Sequence, residues 1–150
     1  FNATQKGDFQ VYCAEYCGTS HSGMLAIIRV KDEAAYKKWI DENNKVPDGV
    51  TPVAYGRKMF EKNACVTCHA VAASGGPAVG PSLWQAFGRQ DKLIDGSSVL
   101  IDENYIRESI LRPSAKVVQG FGPVTAMPAF EGTLKDFQID ALIAYIKSLK

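Results

Sequence analysis

Two short stretches of this sequence combine residue types that bind metals or form covalent bonds. In the first stretch Cys13, Cys17, His21 and Met24 fall within twelve residues, so two thiols, an imidazole and a thioether are close along the chain. The second stretch is CVTCH, residues 65–69. Thiolate, imidazole and thioether groups suit copper, zinc and iron. The sequence therefore predicts two separate sites of metal chemistry.

The spacing of CVTCH is typical of c-type haem attachment. On a helical turn the sulfur atoms of Cys65 and Cys68 lie on one side and the imidazole of His69 points the same way. One macrocycle can then bond to both thiols while His69 binds its iron. A thioredoxin-like CxxC would require a βαβ context, and none precedes Cys65. We therefore predict one covalent haem c with His69 as an axial iron ligand.

A six-coordinate electron carrier needs a second axial ligand, and the methionines are the candidates. Met59 falls inside a predicted helix, where core packing is the expected role. Met127 lies in the loop GPVTAMPAFEG and is the predicted ligand. A His/Met pair raises the potential of a haem and leaves no open position for a substrate. Electron transfer is expected, and the chain by itself is not expected to be an enzyme; the alternative is a haem enzyme in which Met127 dissociates.

The bulk composition narrows the possible functions. The chain has 150 residues, 46% of them hydrophobic and 22% charged, with a net charge of +1. These values are typical of a globular protein and argue against a nucleic-acid partner. The longest apolar run is residues 24–28, so no membrane segment is predicted, and any anchoring segment is expected to have been removed. A zinc site using all four cysteines would need two knuckles at unusual spacings and is disfavoured.

Periodicity and turn residues divide the chain into elements. Strands are predicted over residues 9–17 and 24–30, and a helix over residues 32–44 with Asp32 as N-cap. A further helix is predicted from Pro52 to Asn63 with Thr51 as N-cap, and another from Asp102 to Arg112. The last predicted helix begins at a capping box formed by Thr133 and Asp136. The rest of the chain is predicted as loop. The predicted domains are residues 1–45, a linker at 46–52, and residues 53–150.

Two of these helices carry apolar stripes. In the first helix of the second segment the predicted stripe is Val53, Gly56, Phe60 and Ala64, and in the last helix it is Phe137, Ala141, Tyr145 and Leu149. Glycine inside a helix costs about 1 kcal/mol relative to alanine. We therefore expect another helix to approach closely at Gly56.

From about residue 52 onward the chain resembles a class I cytochrome c. The resemblance rests on the helix ending in CVTCH, then GPSLWQAFGR, the helix ENYIRESILRP, the MP pair at 127 and 128, and the terminal amphipathic helix. It implies a mainly α fold whose first and last helices cross at Gly56 and Phe60 against Tyr145. It also implies that the carbonyl of Pro81 accepts a hydrogen bond from His69, and that Trp84 and Arg89 lie near the haem propionates.

The pattern CxExCGxxHxxM resembles the binuclear copper A signature of cytochrome c oxidase subunit II. The resemblance implies that Cys13, Cys17, His21, Met24 and the carbonyl of Glu15 are copper ligands. Gly18 disfavours a copper chaperone, where proline usually follows, and nitrous oxide reductases fill the pattern differently. The family has a further histidine ligand upstream, so we expect the motif to be empty here and copper A to form only in the full-length protein. Residues 1–45 then correspond to two strands and a helix, a remnant of a cupredoxin domain.

The order of the two motifs resembles subunit II of a caa3-type cytochrome c oxidase. This resemblance implies an electron relay from an external donor, through haem, to copper A. The donor is a cytochrome bc1-type or alternative complex, or a small soluble redox carrier. The other implied partners are the remaining copper A domain and oxidase subunit I, at the periplasmic or outer face of the bacterial plasma membrane. A free-standing electron carrier with an unrelated N-terminal extension is the alternative.

Overall fold

The computed structural model describes residues 2–76, 79–122 and 126–150. The chain divides into two compact units, a first unit Phe1–Asn43 and a second unit Asn44–Lys150. In chain order the elements are β1 (Gly7–Tyr12), β2 (Leu25–Val30), α1 (Glu33–Asn43), α2 (Pro52–Lys62), β3 (Gln90–Lys92), β4 (Ser98–Leu100), α3 (Glu103–Leu111) and α4 (Asp136–Ser148).

The first unit is an antiparallel hairpin followed by one helix. Phe9 of β1 pairs with Ile28 of β2, as their aromatic and β-branched character favours. The prediction that β1 continues to residue 17 was wrong, because the strand ends at Tyr12 and the chain then enters the loop that carries the thiols. The side chain of Asp32 accepts a hydrogen bond from the backbone N–H of Ala35 at 2.8 Å. The predicted N-cap of α1 is therefore confirmed.

The second unit is organised around the packing of α2 against α4. Thr51 Oγ1 accepts from the backbone N–H of Ala54 at 3.2 Å, which confirms the predicted cap of α2. A Cβ atom added to Gly56 would overlap the carbonyl oxygen of Ala141 and lie 2.6 Å from its carbonyl carbon. The rings of Phe60 and Tyr145 are 5.5 Å apart between centroids. The predicted close approach at Gly56 and the predicted helix crossing are confirmed.

The predicted stripes of α2 and α4 were only partly correct. Val53 is 39% exposed, whereas Met59 is buried, as core packing requires. Helix α4 begins at Asp136, and the side chain of Gln138 accepts from the backbone N–H of Lys135 at 3.0 Å, so Lys135 and not Thr133 is the N-cap residue. The buried face of α4 consists of Ile139, Ala141, Leu142, Ile143 and Ile146.

Residues 90–100 hold a small hairpin that the sequence analysis assigned to loop. Asp91 of β3 pairs with Val99 of β4. The next helix, α3, begins where Asp102 Oδ1 accepts from the backbone N–H of Tyr105 at 2.8 Å. Its last helical residue is Leu111, two residues before Pro113, which is the expected position for a helix end.

Most regular structure in the chain is helical, so the predicted mainly α fold class is confirmed. Within the ranges that the structure describes, none of the helices combines the length and apolar character needed to cross a membrane.

Candidate haem and copper sites

A cavity of about 330 Å³ lies inside the second unit. Its wall is formed by α2, α3, α4 and the loops that join them, and most of its surface is apolar. The wall includes Phe60, Leu83, Ile101, Ile110, Leu142 and Ile146. A volume of this size, with a few polar groups on an apolar wall, is typical of a site for a cofactor or small molecule. The cavity therefore suits a largely apolar group that also carries polar substituents.

The two cysteines of CVTCH reach this cavity from a short 3₁₀ turn at Cys65–Thr67. The turn is closed by the backbone N–H of His69, which donates to the carbonyl of Cys65 at 3.1 Å. Both Cys65 and Cys68 are free and half-buried. Burial raises the pKa of the Cys65 thiol, and the neighbouring Cys68 raises it further. The turn therefore presents two free thiols at one wall of the cavity.

His69 is fixed by the loop that follows it. Its Nδ1 lies 2.8 Å from the carbonyl oxygen of Pro81. Because a carbonyl oxygen can only accept, Nδ1 carries the proton, and Nε2 is left with a lone pair that can bind a metal. The backbone N–H of Gly80 donates to the carbonyl of Cys68 at 2.9 Å, and a Cβ added to Gly80 would lie 2.6 Å from His69 Cε1. A glycine at position 80 is what lets the loop come this close to the imidazole.

The structure separates the two methionines that the sequence offered as second ligand. Met127 is half-buried and lines the cavity together with Ala126 and Pro128. Met59 is buried among the core residues and is absent from the cavity wall in the described parts of the chain. The cavity thus contains an imidazole and a thioether, a pair that binds haem iron in cytochromes c.

Arg89 lines the cavity and forms a bidentate ion pair with Asp91. Trp84 is half-buried. It does not belong to the cavity wall formed by the described residues, so the structure places Arg89 but not Trp84 at the cavity. The sequence analysis missed Asp91 and Tyr105, which also line the cavity. For Asp91 the signal was its spacing: residues two apart in an extended segment point to the same side.

The first unit holds the cluster predicted from CxExCGxxHxxM. The ligand atoms of Cys13, Cys17 and His21 all lie within 4.8 Å of one another. The Sγ atoms of Cys13 and Cys17 are 3.6 Å apart, and Cys17 Sγ lies 3.8 Å from His21 Nδ1 and 2.9 Å from Met24 Sδ. Cys13 Sγ is 3.2 Å from the carbonyl oxygen of Glu15. All five predicted groups therefore meet in one loop, with the donor set that soft copper ions prefer.

Comparison with known proteins gives matches over both units. The family model for cytochrome c matches residues 53–150. The chain is 34% identical over 150 residues to cytochrome c oxidase subunit 2 of Alkalihalophilus pseudofirmus, covering 99% of this chain and 41% of that protein. It is 32% identical over 157 residues to the protein of the same name from Bacillus sp. strain PS3, covering 99% of this chain and 42% of the relative. The chain thus spans about two fifths of the length of these relatives.

These relatives confirm the resemblance to oxidase subunit II that the motif order indicated. The family match includes every residue that lines the cavity, since the wall runs from Phe60 to Ile146. The family match also covers more than half of the chain. The chain therefore belongs to the cytochrome c family.

Proposed function

We propose that residues 53–150 form an electron-transfer domain with one covalently attached haem c. The main observation behind the proposal is the hydrogen bond from His69 Nδ1 to the carbonyl oxygen of Pro81. It lies at the wall of an apolar cavity that Cys65, Cys68 and Met127 also line. Bound haem supplies a one-electron couple. Cys65 and Cys68 would hold it through thioether bonds, and His69 Nε2 and the Met127 sulfur would bind its iron.

The protein residues determine how this domain acts. Pro81 fixes the His69 ring and its tautomer, so the imidazole needs no rearrangement between the two oxidation states. The apolar wall would limit the access of water, and Arg89 would hold a positive charge at the cavity wall. Because His69 and Met127 would both bind the iron, the domain would act as a carrier and not as a catalyst.

We further propose that the first unit contributes ligands to a copper A centre that receives the electron. The compact arrangement of Cys13, Glu15, Cys17, His21 and Met24 supports this role. Residues 1–45 then belong to a copper A domain, and residues 46–52 are the linker to the cytochrome domain at residues 53–150. A linker this short raises the effective concentration of haem near copper.

The similarity to cytochrome c oxidase subunit 2 supports a role for this relay in an oxidase. By similarity to cytochrome c oxidase subunit 2, we propose that the electron comes from an external donor complex or small redox carrier and leaves copper A for subunit I. The site of action is the outer face of the bacterial plasma membrane, with the parent complex as the oxidoreductase.

Covalent haem is tested by making the chain with the cytochrome c maturation machinery and measuring its pyridine haemochrome spectrum after denaturation. We expect one haem per chain that stays with the polypeptide. Cys65→Ser with Cys68→Ser should abolish this retention, because no thioether bond can form. Thr67→Ser, between the two cysteines, is the matched control and should retain haem. Loss of haem from the unmodified chain on denaturation would refute the proposal.

The copper relay is tested in the complete subunit. The haem is reduced rapidly, and the absorbance bands of haem and copper are then followed in time. The number of electrons lost by the haem should equal the number gained by copper. Cys17→Ser should remove copper and leave haem reduced, whereas Ser22→Ala, in the same loop, should leave the transfer unchanged. Transfer that persists in the Cys17→Ser protein would contradict this role of the first unit.

A further inference from the structure

Asp91, the partner of Arg89 in an ion pair at the wall of the cavity, has no role in the function described so far. Arg89 Nε donates to Asp91 Oδ1 at 2.7 Å, and Arg89 Nη2 donates to Asp91 Oδ2 at 2.8 Å. Nη2 also lies 3.3 Å from the carbonyl oxygen of Ser82. Both residues line the cavity. The bidentate geometry fixes the plane of the guanidinium, which a single hydrogen bond would not do.

The carboxylate is the more buried partner of this pair. The Asp91 side chain is 14% exposed, compared with 38% for Arg89. The pKa of Tyr105, which shares the cavity wall, is raised mainly by burial and further by the charges of Asp91 and Glu108. The Asp91 charge therefore acts on groups at the cavity, where the dielectric is lower than in water and charges interact more strongly.

A second ion pair completes the charges around the cavity. Lys116 also lines it and lies 2.6 Å from Glu108. The side chains of this pair are 45% and 28% exposed, so solvent screens it more than it screens Asp91. The Asp91 carboxylate is thus the best shielded from water of these four charges.

We propose that Asp91 positions Arg89 and compensates its charge, and so sets the reduction potential of the cofactor in this cavity. This inference rests on the proposed function, in which the cavity holds haem. The reduced state has one electron more than the oxidised state, so a positive charge nearby favours it and a negative charge disfavours it. Arg89 without Asp91 would raise the potential, and the pair keeps it lower.

The test compares midpoint potentials of the haem-loaded chain and its variants by spectroelectrochemistry. Asp91→Asn keeps the shape of the side chain and removes its charge. We expect the reduction equilibrium to shift at least tenfold toward the reduced state, a rise of about 59 mV for one electron. Asp95→Asn is the matched control, because Asp95 is exposed and its carboxylate accepts hydrogen bonds from Ser97. The Asp95→Asn variant should shift the reduction equilibrium of the haem by less than threefold.

Arg89→Gln is an independent test. Because it removes the positive charge, it should shift the reduction equilibrium of the haem toward the oxidised state. The double variant Arg89→Gln with Asp91→Asn should return within threefold of the unmodified chain. An Asp91→Asn shift no larger than that of Asp95→Asn, or of opposite sign, would overturn the inference. If Asp91→Asn does not fold, an Arg89→Gln potential that is unchanged or raised would overturn it.

The haem content of each sample separates the two proposals. A full complement of covalent haem with an unmoved potential would overturn the role of Asp91 alone. Absence of covalent haem from the unmodified chain would refute the proposed function, and the inference with it.

Discussion

At the scale of single residues, His69 is held from two sides. Pro81 accepts the hydrogen bond from Nδ1, and Gly80 lies against the ring so closely that no β-carbon fits. Gly80 does not adopt the left-handed conformation, so its role is one of space. An adjacent Gly and Pro thus perform two different functions for one imidazole.

Gly80→Ala should therefore disturb the position of the His69 ring. The new β-carbon would lie 2.6 Å from His69 Cε1, so the ring or the loop must move. We expect a changed midpoint potential and a loss of about 1–3 kcal/mol in the free energy of unfolding. Gly23→Ala is the control, because no atom lies within 4 Å of a β-carbon there. A Gly80→Ala protein with unchanged potential and stability would contradict this account of position 80.

At the scale of elements, the sequence predicted the helices better than the short strands. The caps Asp32 and Thr51 were visible because a side-chain acceptor directly precedes each helix. The β3–β4 hairpin was missed because three-residue strands are too short for an alternating pattern to be recognised. The start of α4 was misplaced because Lys135 is not a typical N-cap residue, and its backbone N–H donates to the side-chain oxygen of Gln138.

Gly56→Ala tests the main helix contact of the second unit. A β-carbon would overlap the Ala141 carbonyl and lie 2.9 Å from Tyr145 Cβ, so α2 and α4 must separate. We expect a loss of about 3 kcal/mol in the free energy of unfolding by denaturant. Lys58→Ala, exposed on the same helix, should change this free energy by less than about 0.5 kcal/mol. Similar changes in the free energy of unfolding for Gly56→Ala and Lys58→Ala would mean that α2 and α4 can separate at little cost.

At the scale of the whole molecule, the sites differ in how far apart their residues are in the chain. CVTCH and the Cys13 to Met24 loop are local, so their spacing alone predicted which residues come together. The cavity is assembled from residues far apart, from Phe60 to Ile146. Pro81 was therefore identified only through the family resemblance, and Met127 only by choosing among the methionines. Asp91 was missed because its importance depends on burial, which the sequence does not report.

The cavity also predicts the state of the chain without haem. Without haem, the apolar wall of this cavity of about 330 Å³ has no packing partner, so its side chains lose the contacts that would stabilise the fold. We expect a chain made without haem attachment to lose cooperative thermal unfolding, followed by circular dichroism, and to bind a hydrophobic dye. The haem-loaded Thr67→Ser protein should unfold cooperatively. A sharp transition in the haem-free chain, close to that of the loaded protein, would contradict this expectation.

The pairing of α2 with α4 has a consequence for biosynthesis. Translation produces α2 and then CVTCH well before α4, which begins at Asp136. Until α4 is made, α2 lacks its main packing partner, so the second unit cannot close. The two thiols stay accessible throughout that interval. The order of elements thus gives a maturation enzyme time to attach haem before the cavity forms around it.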